Sequence, residues 1–323
     1  FAPPHSLIEQ VNNQRACADK FTKLTPSQLR KAKEGFAVAD KFGAKYKDGR
    51  ATVRTTGNLF FWGMLSRKAS AFPHESGFLD MARHINEFID LAAAGKFDDA
   101  ALARYLNIID TTVPGTGSPG ATVVSNMRDF GRTFLRKMGT PDESGMTPLL
   151  KMHNLIADPN ISGPEIRRQF YGMAEDVGIR NKVLSFVLLV GGRRDVMVLD
   201  RIQINDLWNG NKELGSGNIY DDVYQMFDSG VGLAIYEAAE RSLAARLPAL
   251  YKAVGRPQDA SVGRYHWESW VLASGQEVSH PTLSYIAENI DNAAGTQAKR
   301  NSLSTEKYGA EEGRFHKWAY GTK

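Results

Sequence analysis

The sequence predicts an all-α protein. Apolar residues recur with the helical period of about 3.6 over most of the chain, and alternating strand patterns are scarce. The 323 residues are 42% hydrophobic and 24% charged, a balance typical of globular proteins with a buried core. The single cysteine, Cys17, excludes an internal disulfide and a zinc-ribbon ligand set. We therefore expect a helical, cytoplasmic protein whose core needs neither disulfides nor structural metal.

Two capping signals mark the beginnings of predicted helices. Thr25 and Ser162 each precede a proline near the first turn and have capping-box spacing to Gln28 and Glu165. The apolar run at residues 58–67 predicts a further, buried helix. The amphipathic segments lie near residues 26–42, 76–94, 97–108, 121–138, 145–156 and 163–176.

A loop rich in proline and glycine at residues 111–120 suggests a boundary between regions. The glycines of this loop lack the Gly-Lys-[Ser/Thr] ending of a phosphate-binding loop. We expect an N-terminal helical region at residues 1–112, a core domain at residues 113–295, and a mildly basic C-terminal tail at residues 296–323.

Other function classes are not favoured. The longest apolar run is about ten residues, whereas a bilayer span takes about 20, so we expect no membrane partner. The N-terminus shows no secretory signal. The seven histidines have no His-x-x-x-His spacing, and we expect no metal and no cofactor. A net charge of +4 permits a nucleic-acid partner without requiring one.

Residues 163–208 carry the most informative pattern. An amphipathic helix, a tight turn at residues 177–181 and a very apolar helix from Lys182 follow one another. Gly178 is expected to take a positive φ, which presents the amides of the next helix to a DNA phosphate. Arg180 and Lys182 add positive charge at that end.

A polar break, Gly-Gly-Arg-Arg at residues 191–194, separates the apolar helix from Asp195. Asp195 is expected to be the N-cap of a third helix beginning at Val196, a position that favours an ionised carboxylate. The alternative is structural: Asp195 only caps, Lys182 only solvates its helix, and Arg193 and Arg194 only line a loop.

The order of hairpin, Lys182, apolar helix, short linker and Asp195 resembles the helix-hairpin-helix DNA glycosylase superfamily, particularly its 8-oxoguanine glycosylase branch. The resemblance implies a helix-hairpin-helix DNA glycosylase-like fold, with additional N-terminal helices and a DNA groove beside them. It also implies that Lys182 occupies the position of the nucleophilic lysine and Asp195 that of the catalytic aspartate. The hairpin has one glycine where that family usually has two, and its linker is shorter.

The run Val-Met-Val-Leu-Asp-Arg-Ile at residues 196–202 and Ser-His-Pro-Thr-Leu at residues 279–283 resemble a phage-associated offshoot of the superfamily. This offshoot comprises the α-glutamyl/putrescinyl thymine pyrophosphorylases, or amino acid:DNA transferases. The resemblance implies a phage-encoded protein of the bacterial cytoplasm. Its DNA substrate would carry 5-pyrophosphomethyl-uracil, from which an amino acid or amine displaces pyrophosphate.

The candidate residues suit such a displacement. Asp195 is expected to accept a proton from the incoming ammonium, and Lys182, Arg193 and Arg194 to neutralise the leaving pyrophosphate. The alternative is a DNA glycosylase, in which Lys182 attacks the sugar C1′ and Asp195 stabilises the oxocarbenium. Both reactions require a flipped nucleotide. A third hypothesis is a DNA-binding module without catalysis.

An aromatic cluster at residues 265–270 supplies candidates for holding the flipped base. Ring faces of Trp267, together with polar groups of His266 and Glu268, are suited to gripping a base. Alternatively, Trp267 and Trp270 pack into the core, since they lie three residues apart on one helical face. His280, which precedes Pro281, is a further polar candidate.

A basic stripe is expected on the helix at residues 121–138. Arg128, Arg132 and Arg136 recur at helical spacing, so their side chains can follow a phosphate backbone. A solvated helix face has the same pattern and is the alternative.

Overall fold

The computed structural model describes residues 25–65, 75–112, 118–174, 177–199 and 230–274. Of these residues, 76% are helical, and no strand occurs among them. The prediction of an all-α protein is therefore confirmed for the described part of the chain. Within the same ranges, every helix falls short of the length or the apolar character that crossing a bilayer requires.

The helices follow the sequence prediction closely, with most ends displaced by a few residues. In chain order they are α1 Pro26–Lys47, α2 Val53–Leu65, α3 Glu75–Ala93, α4 Asp99–Thr112, α5 Ser118–Asp129, a π-helix Phe130–Leu135, α6 Arg136–Met138, α7 Pro148–Ala157, α8 Gly163–Ala174, α9 Asn181–Val190, α10 Gly230–Ala253, a 3-10 helix Pro257–Asp259, and α11 Val262–Ser274.

The predicted capping box at the start of α1 is confirmed. The backbone N–H of Gln28 donates to Thr25 Oγ1 at 3.2 Å, and the backbone N–H of Thr25 donates to Gln28 Oε1 at 2.9 Å. Ser162 caps α8 through one such bond, because its Oγ accepts the N–H of Glu165 at 3.3 Å. Two orphan amides of α1 are thus satisfied by side chains.

The chain divides into two compact units that interleave in sequence. The first unit draws on Phe1–Gly43, Ser162–Arg168 and Arg180–His280, and the second on Ala44–Ile161, Gln169–Ile179 and Pro281–Lys323. The boundary predicted between residues 112 and 113 falls inside the second unit. The predicted tail at residues 296–323 lies outside the described residues.

The second unit is organised around α2, which packs against α3, α5 and α7. The predicted buried helix at residues 58–67 corresponds to α2, whose Leu59 and Phe60 are fully buried. The Phe60 ring lies 4.9 Å from that of Phe134 and 5.6 Å from that of Phe170, centroid to centroid. Such aromatic pairs add directional packing to the burial of apolar area.

The helix predicted at residues 121–138 is continuous but contains a π-helical turn. Gly131 of this turn packs against the ring of Tyr105, so closely that a Cβ at Gly131 would overlap the ring. The Tyr105 hydroxyl donates to the backbone oxygen of Met127 at 2.7 Å. The absence of a side chain at Gly131 therefore lets the Tyr105 ring pack against this turn.

In the first unit, α9 is the central buried helix, and α10 packs against α9 and α11. Helix α9 ends at the predicted Gly-Gly break. The N–H of Gly192 donates to Leu189 O, and that of Arg193 to Leu188 O, while Gly192 has φ +98°. This is a Schellman ending. Gly192 also contacts the backbone of Gly43 on α1, an approach that side chains would prevent.

The prediction that a third helix begins at Val196, directly after Asp195, is wrong. Residues 196–199 are buried and form neither helix nor strand. The reason is tertiary: the amides of this segment bond to side chains of α10 and α11, which replace the partners that a helix would supply. Asp195 consequently does not cap a helix at Val196. Residues 200–229 lie outside the described ranges.

Candidate functional site

The predicted turn between α8 and α9 lies in the described residues from Val177 onward. Gly178 has φ +71°, which confirms the expected left-handed conformation. Arg180 is the N-cap of α9, with an extended backbone and no side-chain capping bond, and its side chain is exposed. Lys182 is the second residue of α9 and is half-buried. The turn therefore places two cationic side chains at a helix N-terminus, where anions are favoured.

Asp195 is anchored by α8. Its Oδ2 accepts the backbone N–H of Gly163, the first residue of α8, at 2.8 Å. Ser162 and Asp195 together thus satisfy two of the amides that α8 leaves unpaired at its start. The Asp195 carboxylate thus lies at the positive end of the α8 dipole. The carboxylate is half-buried.

The segment that follows Asp195 is held by three side chains. The N–H of Met197 donates to Glu240 Oε1 at 3.0 Å, and that of Val198 to His266 Nδ1 at 3.3 Å. The N–H of Leu199 donates to Tyr236 Oη at 3.0 Å. We call these three bonds the amide clamp. These three amides lie in a buried segment that forms neither helix nor strand, and each is satisfied by a side chain of α10 or α11.

A buried ion pair supports the amide clamp. Arg167 of α8 is fully buried and donates to both carboxylate oxygens of Glu240 and to Ser185 Oγ, the latter at 2.7 Å. Its guanidinium lies 4.9 Å from the centroid of the Tyr236 ring. Burial raises the pKa of Glu240, and the adjacent Arg167 partly opposes that shift. The pair joins α8, α9 and α10 in one network.

His266 is the neutral acceptor in one bond of the amide clamp. Because Nδ1 accepts the N–H of Val198, that nitrogen carries no proton. Burial lowers the pKa of His266 to about 3, so the ring stays neutral near pH 7. The neighbouring Trp267 is also buried, with its ring 5.9 Å from that of His266. The burial of Trp267 agrees with its core-packing alternative, whereas Trp270 is half-buried. The base-holding role of His266 and Trp267 stays a prediction.

Glu268 is fully buried, and protein groups bond to both of its carboxylate oxygens. Arg256 donates to Oε1 at 2.7 Å and to Oε2 at 2.8 Å, and the Tyr251 hydroxyl donates to Oε2 at 3.0 Å. The hydrogen bond to Glu268 raises the pKa of Arg256. These contacts tie α11 to α10 and to the turn between them. The predicted contact of Glu268 with substrate is not tested by this geometry.

The two arginines before Asp195 differ in exposure. Arg194 is exposed, pairs with Asp40 at 2.7 Å, and lies 5.2 Å from the centroid of the Phe36 ring. Exposed pairs of this kind contribute at most about 1 kcal/mol, so an incoming anion can compete for Arg194. Arg193 is half-buried, and its backbone closes α9. Gly263 N–H donates to Arg194 O at 2.9 Å, which holds the linker against α11.

The predicted basic stripe lies in the second unit, where two of its members are paired with acids. Arg128 contacts Asp110, and Arg136 contacts Asp99, each at 2.6 Å. Both aspartates belong to α4, so these pairs link α4 to the helix at residues 118–138. Arg132 is exposed on the π-helix. His280 lies outside the described residues.

The roles of Gly163, Arg167 and Glu240 in this site are among those that the sequence did not predict. Gly163 was recognised only as part of a helix start, and its contact with Asp195 spans 32 residues. Arg167 resembled any exposed cation of an amphipathic helix. Glu240 lies in the alanine-rich stretch of α10 with Glu237 and Arg241 beside it, so the sequence does not distinguish it from an exposed acid. Fully buried acids are almost always paired.

No family model, curated protein or solved structure matches the chain. Among the described residues, no three histidine, cysteine, aspartate or glutamate side chains group as a metal site.

Proposed function

We propose that this chain transfers an amino acid or amine to a thymine-derived base in DNA, 5-pyrophosphomethyl-uracil, with release of pyrophosphate. The proposal begins with the resemblance of the hairpin, Lys182 and Asp195 to the amino acid:DNA transferase offshoot of the glycosylase superfamily. The observation that supports it most is the anchoring of Asp195. One carboxylate oxygen is bonded to the start of α8, and the segment behind it is fixed by the amide clamp.

The proposed reaction is a displacement at the 5-methylene carbon. Asp195 accepts a proton from the incoming ammonium through Oδ1, the oxygen not bonded to Gly163. The amine nitrogen then forms a bond to the methylene carbon, and the carbon–oxygen bond to pyrophosphate breaks. The electron pair leaves with the pyrophosphate oxygen, and the new secondary ammonium releases its proton to water. Lys182, Arg193 and Arg194 neutralise the departing charge.

The proposed DNA contacts lie in both units. In the first unit, Arg180 and the start of α9, which follow the Gly178 turn, bind phosphate. In the second unit, Arg128, Arg132 and Arg136 supply further cationic contacts. The target base leaves the helix stack before reaction, because the methylene must reach Asp195. The resemblance to the phage offshoot makes a bacterial host cytoplasm the proposed setting.

Mass spectrometry of nucleosides tests the reaction directly. DNA bearing 5-hydroxymethyluracil or its pyrophosphorylated form is incubated with the protein and a mixture of amino acids and amines. We expect a nucleoside with the mass of an amine adduct. It should form only on the pyrophosphorylated DNA, and pyrophosphate should be released at the same time. Free base with abasic sites would instead identify a glycosylase. DNA that is bound but unchanged would leave a binding module.

Two substitutions assign the chemistry to the site. Asp195→Asn keeps an oxygen for the Gly163 N–H but removes the base, and we expect loss of adduct with DNA affinity retained. Lys182→Gln is expected to slow pyrophosphate release. Asp98→Asn is the matched control, since Asp98 also accepts a helix-start amide, that of Ala101 at 2.8 Å, in the second unit. Equal activity of the Asp195 and Asp98 variants would refute the proposed base.

A further inference from the structure

We infer that Gly163 is a positioning residue for Asp195. Because the first residue of α8 has no side chain, it determines where the Asp195 carboxylate lies. This inference rests on the proposed function of Asp195 and adds a residue that no pattern around the hairpin indicates. Gly163 contributes its backbone N–H to Asp195 Oδ2 at 2.8 Å. The absence of a side chain at Gly163 also determines the position of the carboxylate.

The absence of a side chain at Gly163 is required by two contacts. A Cβ built on Gly163 would lie 2.8 Å from Asp195 Oδ1, and it would overlap Cγ1 of Val196. Real Cβ atoms do not approach other heavy atoms this closely. Any side chain at residue 163 therefore requires the Val196 side chain and the Asp195 carboxylate, or the chain that carries them, to move away from α8.

The neighbouring structure leaves little room for that movement. Val196 is fully buried, and Met197, Val198 and Leu199 are fixed by the amide clamp to Glu240, His266 and Tyr236. The segment cannot shift as a whole without breaking bonds to buried amides, which are costly to leave unpaired. A group added at residue 163 is therefore expected to displace the Asp195 side chain together with that of Val196.

The consequence for catalysis is geometric. A general base acts only within hydrogen-bond reach of its proton, and a displacement of about 1 Å can reduce turnover about 100-fold. Gly163 does not contact substrate in this proposal. Its effect is transmitted through the position of Asp195, so it should change turnover more than substrate binding.

Gly163→Ala and Gly172→Ala form a matched pair on α8. A Cβ at Gly172 meets no heavy atom within 4 Å. In the transferase assay we expect Gly163→Ala to reduce kcat by about 100-fold, with a KM for modified DNA close to that of the wild type. Gly172→Ala should match the wild type in both. Circular dichroism and the thermal midpoint establish that both variants are folded.

Val196→Ala separates the two contacts if Gly163→Ala disturbs folding. It removes the Cγ1 atom that a new Cβ would overlap, and leaves the contact with Asp195 Oδ1. In this background, adding Gly163→Ala should still lower kcat by a similar factor. Recovery of full turnover in the double variant would mean that Val196, and not Asp195, conveys the effect, and would overturn the inference.

The failure of this inference differs from the failure of the proposed function. Wild-type protein that forms no adduct refutes the transferase, whereas equal kcat for folded Gly163→Ala and wild type refutes only the positioning role. An NMR readout needs no turnover. The amide shift of Gly163 should move in Asp195→Ala and stay near its wild-type value in Asp195→Asn. An unchanged shift in Asp195→Ala would contradict the bond on which the inference depends.

Discussion

At the residue scale, the lowered pKa of His266 predicts how the stability of the protein depends on pH. Burial lowers this pKa to about 3 from an ordinary value of 6.5. Between these values the unfolded chain binds a proton that the folded chain does not, so stability falls as the pH decreases through this window. The stability linked to His266 is complete above about pH 6.5. It changes by about 1.4 kcal/mol for each pH unit within the window.

His266→Asn removes this titration and keeps an oxygen that can accept the N–H of Val198. We expect the variant to be less stable than the wild type near neutral pH, because a smaller side chain fills the same buried site. Its free energy of unfolding should then fall less between about pH 6.5 and about pH 4. Urea unfolding at a series of pH values measures both curves. Parallel curves would contradict a neutral buried imidazole.

Single residues were predictable from the sequence where the cause was local. The capping box of Thr25 and Gln28 and the positive φ of Gly178 depend on neighbours within a few residues. Gly163 was not predictable as a contact of Asp195, because a glycine at a helix start has the same pattern whatever packs against it. The contact depends on the course of the chain between the two residues.

At the element scale, the buried, non-helical segment at residues 196–199 shows why one helix prediction failed. Val-Met-Val-Leu is compatible with a buried helix and with a buried extended chain, and an aspartate before it resembles an N-cap. The choice is made by acceptors on α10 and α11, which lie 37 to 68 residues further along the chain. No pattern within the segment contains that information.

Removing one partner of the buried ion pair of Arg167 and Glu240 should strongly destabilise the folded protein. Replacing both partners should cost less free energy of unfolding. Glu240→Gln keeps an oxygen for the N–H of Met197 but leaves the Arg167 cation buried without its counter-charge. We expect a loss of about 3–5 kcal/mol in the free energy of unfolding. Adding Arg167→Met removes the cation and should recover a large part of that loss.

Urea unfolding of the two single variants and the double variant measures the coupling between these residues. The exposed pair of Arg136 and Asp99 provides the control, since its side chains are 56% and 82% exposed. Removing that pair should cost less than about 1 kcal/mol. Additive losses for Arg167→Met and Glu240→Gln would show that the two side chains do not act as a unit.

At the scale of the whole molecule, helical content and its approximate limits could be predicted, because helical periodicity is a local property. The interleaving of the two units could not. Segments such as Ser162–Arg168 belong to a unit assembled from distant parts of the chain, and sequence reasoning divided the chain at a composition boundary instead. The candidate carboxylate was found by its order in the hairpin motif, while its supporting contacts were long-range.

The net charge of +4 is small for 323 residues, so DNA affinity should depend on a few local cations more than on the overall field. Arg180, exposed at the start of α9, is one of them in this proposal. Each cation–phosphate contact adds about 0.9 to the slope of log affinity against log salt concentration. Arg180→Gln should therefore lower that slope by about 1.

Lys252→Gln is the control for this charge change, because Lys252 is also exposed but lies in the last turn of α10. Fluorescence anisotropy with a duplex at several salt concentrations gives the slopes. Equal slopes for Arg180→Gln and Lys252→Gln would place the phosphate contacts away from the hairpin. If the wild-type protein fails to bind duplex DNA even at low salt, then transferase, glycosylase and binding module are all excluded, since each requires the electrostatic attraction that low salt maximises.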